Sequence, residues 1–101
     1  MALMASWDIV VVGGANIDHL AWGSQLPRVG ETVEAEQYQQ APGGKGANQA
    51  VAAARLGARV ALVARIGRDA GGDLLHERLQ AEGVGTRFLV RDAEAPTGVA
   101  L

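Results

Sequence analysis

The chain has 101 residues, a formal net charge of -2 and no cysteine. That length allows at most one small domain with a thin core. The charge gives no electrostatic reason to expect nucleic acid or an anionic membrane as partner, and the lack of cysteine excludes disulfides, thiolate metal sites and cysteine nucleophiles.

Residues 1–7 (MALMASW) have neither a basic segment nor a long apolar run, so no signal peptide is expected. No apolar stretch is long enough to span a bilayer, which makes a cytoplasmic location the default expectation. Asp8–Val12 is a β-branched run ending at Gly13-Gly14, the pattern of a buried strand. Leu20–Trp22 and Thr32–Tyr38 alternate weakly around Pro27–Gly30 and predict two short, half-exposed strands joined by a turn. Ala41–Gly44 reads as loop. Lys45–Leu56 is rich in alanine, free of proline and followed by Gly57, which predicts a helix. Arg59–Arg65 predicts a second buried strand, and Asp73–Ala81 an amphipathic helix carrying Leu74, Leu75 and Leu79. Thr86–Val90 predicts a third strand.

Strand, helix, strand, helix, strand implies an α/β fold with a parallel sheet and right-handed crossovers. Thr97–Leu101 reads as the beginning of a further strand. Three parallel strands with two crossovers leave a sheet edge and an apolar surface uncovered, so the sequence is expected to be part of a longer protein.

Two groups of residues carry chemistry. Gly13-Gly-Ala-Asn-Ile-Asp18 directly follows the first strand, where open α/β sheets bind ligands. It lacks the spacing of a dinucleotide fingerprint. Asn16 and Asp18, two apart, share a face if the segment is extended, and a carboxamide beside a carboxylate suits paired hydroxyls of a polyol. The same residues would also serve an Asx-type turn, each side chain bonding its own backbone. The second group, Gly43-Gly-Lys-Gly-Ala-Asn48, opens the alanine-rich helix. A P-loop is excluded, since Gln39 stands where its first glycine belongs and Gly46 where Ser or Thr should follow the lysine. What remains is a helix N-terminus whose glycines let backbone amides approach an oxygen-rich ligand, with Asn48 in reach. Lys45 is the single lysine beside eight arginines. His19 and His76 are far apart and lack a third ligand, so no metal site is expected. Asp69 and Gly71-Gly72 are expected to shape the start of the second helix, with Asp73 near its positive end.

Together these stretches resemble the ribokinase-like (PfkB-type) carbohydrate kinases. Val11–His19, Gly30–Val33, Gly43–Ala54, Gly67–Asp69 and Thr97–Leu101 carry the resemblance, which covers nearly the whole chain from about Val10. It implies the N-terminal part of a ribokinase-like domain: a parallel, Rossmann-like βαβαβ sheet with a small β-strand lid, to which residues 19–40 and 97–101 contribute. It implies sugar contacts from Asn16, Asp18, the Gly43-Gly44 backbone, Lys45 and Asn48. It also implies phosphoryl transfer from ATP with Mg2+ and a monovalent cation such as K+, ribose as the favoured sugar, and a homodimer formed through the lid. Fructose, a deoxy-sugar acid or a nucleoside are further substrates within the family. The family's base is an aspartate in a later Gly-Ala-Gly-Asp-type motif, absent from these residues. No catalytic residue and no ATP site are therefore expected here, and the 101 residues alone are expected to be inactive. The rival readings are a non-catalytic sugar-binding module and a protein that only dimerises through its lid strands.

Overall fold

The computed structural model describes residues 6–101. Most of the segment 1–7, where no targeting role is expected, lies outside the described residues. The chain order is β1 (Ile9–Val12), β2 (Asn16–Trp22), β3 (Gln37–Gly43), α1 (Lys45–Arg55), β4 (Val60–Gly67), α2 (Ala70–Ala81), β5 (Leu89–Asp92) and β6 (Gly98–Ala100).

β1, β4 and β5 form a parallel sheet in the order β1-β4-β5, with Val11 opposite Leu62 and Ala64 opposite Leu89. β3, β2 and β6 form a second sheet in that order, antiparallel between β2 and β3 and parallel between β2 and β6. The expected βαβαβ unit is thus present, with β2 and β3 inserted between β1 and α1. Both helices bury their apolar residues against one face of the parallel sheet. Ala47 and Ala50 of α1 and Leu75 and Leu79 of α2 meet Val60, Leu62, Ala64 and Ile66 of β4. Burying one such Leu or Ile contributes about 1.5–3 kcal/mol. On the opposite face Val10, Val12 and Val90 are exposed.

Each helix ends where its sequence dictates. α1 has no side-chain cap at its start and finishes at Gly57, whose φ of 96° only glycine adopts easily. α2 begins at Asp69, whose side chain accepts the Gly72 amide, and gives way to Gly83 at φ 82°. A bidentate pair between Arg55 and Glu82 joins the helix ends.

The element boundaries differ from the sequence expectations in four places. β2 begins at Asn16 rather than Leu20, and β3 spans Gln37–Gly43, so Ala41–Gly43 is strand and Thr32–Glu36 is not. The pairing partner decides this: β2 ladders along β3 from Asn16–Gly43 to Trp22–Gln37, a non-local register that overrides the local loop signal of Pro42 and Gly43. α2 starts at Ala70 because the Asp69 cap outweighs the poor helix propensity of Gly71 and Gly72. β5 lies at Leu89–Asp92, where it pairs with Ala64–Gly67.

Candidate functional site

The two chemistry-bearing groups meet because Gly13, Gly44 and Gly46 let backbone touch backbone. A Cβ on Gly46 would lie 2.7 Å from the carbonyl carbon of Gly13, and one on Gly13 would lie 2.9 Å from the Gly46 Cα. A Cβ on Gly44 would lie 2.6 Å from the Gly14 oxygen. The Ala47 amide donates to that same oxygen at 3.0 Å. The start of α1 is therefore seated directly on the turn that follows β1.

Gly44 sits at φ 95°, a conformation that a side chain would strain. It precedes α1 without capping it through a side chain. The Ala47 and Asn48 amides are taken up by Gly14 and Gly44 oxygens. Those of Gly44, Lys45 and Gly46 have no hydrogen-bond partner among the described residues outside regular helix and strand ladders, leaving donors of the kind that bind oxygen ligands.

Asn16 and Asp18 stand on one face of β2, as extended backbone requires. The Asn16 Nδ2 donates to Asp18 Oδ1 at 2.7 Å. This side-chain pair replaces the Asx-type turn, and both residues are half-buried. Asp18 forms no ion pair among the described residues, so its carboxylate is available to hydroxyl donors. The residues beside the pair are small. Asn16 lies between Gly43 of β3 and Gly98 of β6, and Asp18 between Ala41 and Ala100. A Cβ at Gly43 would run into the Asp18 carboxylate and displace it.

Asn16, Asp18, Gly43 and Gly44 are thus brought into direct contact. Lys45 and Asn48 sit at the head of α1 with exposed side chains, three residues apart and so on neighbouring positions of one helix face. Lys45 forms no ion pair among the described residues. Asn48 also borders a groove between α1 and α2 lined by Val51, Arg55, Arg78 and Leu79. No hydrogen bond joins the Lys45 or Asn48 side chain to Asn16 or Asp18 among the described residues.

Two contributions were not read from the sequence. Ala41 and Gly98 flank the polar pair through strand registers that local patterning does not encode. Asp69 does more than start α2. Its Oδ2 accepts the Thr97 amide at 2.8 Å and its Oδ1 accepts the Thr97 hydroxyl at 2.6 Å, which fixes the beginning of β6. Gly67-Arg-Asp69 and Thr97-Gly98, which stand among the stretches that carry the family resemblance, are the available signal. The Thr97 and Gly72 hydrogen bonds hold the Asp69 carboxyl below the usual carboxylate range, those from Thr97 having the larger effect.

Among the described residues no helix is long and apolar enough to cross a membrane. No three His, Cys, Asp or Glu side chains gather as metal ligands among them.

The sequence and the fold match known proteins. The family described as pfkB family carbohydrate kinase matches residues 7–101. The ribokinase of Bacillus subtilis (strain 168) is 42% identical over 93 residues, covering 92% of this chain and 32% of that protein. The deoxyribokinase of Salmonella typhi is 38% identical over 93 residues, covering 92% of this chain and 30% of that protein. A solved structure of Arabidopsis thaliana ribokinase complexed with ribose and ATP superposes with a TM-score of 0.83 at 39% identity, over 94% of this chain and 31% of that one. The chain therefore spans about a third of the length of these relatives, and what it spans is part of a ribokinase-like fold. It belongs to the pfkB family of carbohydrate kinases.

Proposed function

We propose that these residues form the sugar-binding part of an ATP-dependent carbohydrate kinase whose favoured substrate is D-ribose, phosphorylated on its primary hydroxyl. The observation that carries this reading is the hydrogen-bonded Asn16–Asp18 pair, set among small residues against Gly43 and Gly44. A carboxylate accepts two adjacent hydroxyl protons, and charged acceptors make the stronger hydrogen bonds. The amides of Gly44 and Lys45, the Lys45 ammonium and the Asn48 amide then supply donors to other sugar oxygens. Two relatives are named ribokinases, which favours ribose, and the deoxyribokinase keeps a deoxy-sugar as the nearest alternative.

The sheet of β2, β3 and β6 acts in this reading as a lid over the sugar, excluding water so that the phosphoryl group goes to the sugar. Leu20 and Trp22 expose apolar surface on it, which supports pairing with the lid of a second copy. In this reading none of the described residues serves as the base toward an attacking hydroxyl. ATP, the cations and the base belong in this reading to other residues of the protein, and the 101 residues alone are inactive.

Titration calorimetry of the intact protein with ribose and a sugar panel tests the reading. Asp18→Ala is expected to weaken ribose binding by about 2–4 kcal/mol, because hydroxyls lose a charged acceptor, while ATP affinity stays unchanged. Equal weakening of both ligands would remove Asp18 from the sugar site.

A further inference from the structure

Glycines 43, 44, 46, 67 and 72 share one property: a Cβ at any of them would press into backbone or, at Gly43, into the half-buried Asp18 carboxylate. Gly98 does not share it. A Cβ there would meet only the Asn16 Cβ, at the ordinary distance of 3.5 Å, and the backbone is not in the left-handed region. Glycine inside a strand weakens it, and close approach of a ligand or another backbone is one reason to keep it there. Gly98 opens β6, directly in register with Asn16. A side chain at 98 would project on the face that carries the Asn16 and Asp18 side chains, since parallel partners in register point the same way.

We propose that Gly98 is a specificity-determining residue of the polyol site: its missing side chain keeps open the flank of Asn16, where the carbon next to the hydroxyl held by Asn16 comes to rest against the β6 backbone. This rests on the sugar-binding reading of Asn16 and Asp18. Gly43 limits the other flank for a different reason, because its missing side chain is needed by the Asp18 carboxylate itself. The space beside Gly98 is the one left over for substrate.

The test compares Gly98→Ala, Gly98→Val and Asp18→Asn in the intact protein, by ribose calorimetry and by thermal unfolding without sugar. Gly98→Ala is expected to weaken ribose binding at least tenfold and Gly98→Val to abolish measurable binding, both with an unchanged or slightly raised unfolding midpoint. In turnover the loss should fall on KM rather than kcat. If Gly98→Ala binds ribose like the parent while Asp18→Asn does not, the sugar site stands and the role of Gly98 is overturned. If affinity and midpoint fall together in Gly98→Ala, the glycine serves the fold and the proposal also fails. Should the parent bind no sugar of the panel, the reading of Asn16 and Asp18 falls, and this inference with it.

Discussion

Asp69 grips Thr97 with both carboxylate oxygens, Oδ1 accepting the hydroxyl at 2.6 Å and Oδ2 the amide at 2.8 Å. Oδ1 also accepts the Gly72 amide at 2.8 Å, while the Thr97 hydroxyl oxygen accepts the Gly67 amide at 2.8 Å. One carboxylate and one hydroxyl therefore fasten the end of β4, the start of α2 and the start of β6 to each other. Thr97 is also the only buried polar or charged residue among the described ones. Through it the parallel sheet fixes the register of β6, and hence the position of Gly98 beside Asn16.

Thr97→Val keeps the shape of this node and removes its hydroxyl. The Gly67 amide then loses its acceptor and Asp69 one of its donors. A buried donor left without a partner costs about 1–3 kcal/mol, and urea unfolding of the variant should show a loss of that size. Thr97→Ser retains the hydroxyl and should recover most of it. A Thr97→Val protein as stable as the parent would mean that the node adds nothing to the net balance.

Asp69 and a second hydrogen-bonded carboxylate, Asp92, give stability a defined acid limit. Asp69 is held below its ordinary value by Thr97 and Gly72. Asp92 is lowered from 3.8 to about 2, first by the Ala95 and Glu94 amides and then by Arg65. Each carboxyl binds its proton less readily in the folded chain than in the unfolded one, so unfolding takes up protons as the pH falls. The stability they add is complete above pH 3.8, their unfolded value, and for Asp92 is lost as the pH falls toward about 2. Chemical unfolding from pH 6 down to about pH 2 should show this decline. Asp92→Asn should be less stable than the parent at neutral pH and converge with it at the acid end. A constant gap across the range would assign the effect to geometry rather than charge.

Gly44 and Gly43 answer the same substitution differently. At Gly44 a side chain meets both a φ of 95° and the Gly14 oxygen at 2.6 Å, an obstacle of backbone that cannot rotate away. At Gly43 the obstacle is the Asp18 carboxylate, which can swing aside. Gly44→Ala should therefore destabilise by about 1–3 kcal/mol, the scale of left-handed strain together with overpacking. Gly43→Ala should cost less stability and more ribose affinity, because it displaces Asp18. Unfolding midpoints and calorimetry on both variants separate the two cases, and a reversed order would contradict the geometry.

Much of this arrangement was legible because its signals are local. The alanine-rich helix closed by Gly57 and the leucines of α2 form as their spacing predicts and bury Ala47, Ala50, Leu75 and Leu79. The β-branched run before Gly13 forms the expected strand but leaves Ile9, Val10 and Val12 exposed rather than buried, because β1 is an edge strand with β4 as its one partner among the described residues. The contacts within the candidate site were legible for a related reason. Asn16 and Asp18 needed only an extended segment to share a face, and Gly43–Gly46 needed only to be glycine-rich to come close to Gly13. Strand ends set by distant partners were not legible. Nothing local reveals that Asn16 pairs with both Gly43 and Gly98, and so Ala41–Gly43 reads as loop and the flanks of the polar pair stay hidden. Asp69 was read as a helix-start residue because capping is local, whereas its hold on Thr97 spans 28 residues.

Lys45 offers a direct contrast between stability and function. It is the first residue of α1, there is no acidic residue in that first turn, and the side chain is exposed without an ion pair among the described residues. A cation at the positive end of a helix is unfavourable, by about 0.3–1 kcal/mol at low ionic strength. Removing it should therefore stabilise the fold. Lys45→Gln is expected to raise the unfolding midpoint slightly, by an amount that shrinks as salt is added. If the ammonium donates to a sugar oxygen, the same variant should bind ribose at least tenfold more weakly. That outcome would mean that the chain gives up helix stability for a donor beside Gly43 and Gly44, as functional sites often do. A Lys45→Gln protein that gains stability and keeps full ribose affinity would leave Lys45 outside the site, and the sugar would then be held by Asn16, Asp18 and the backbone amides alone.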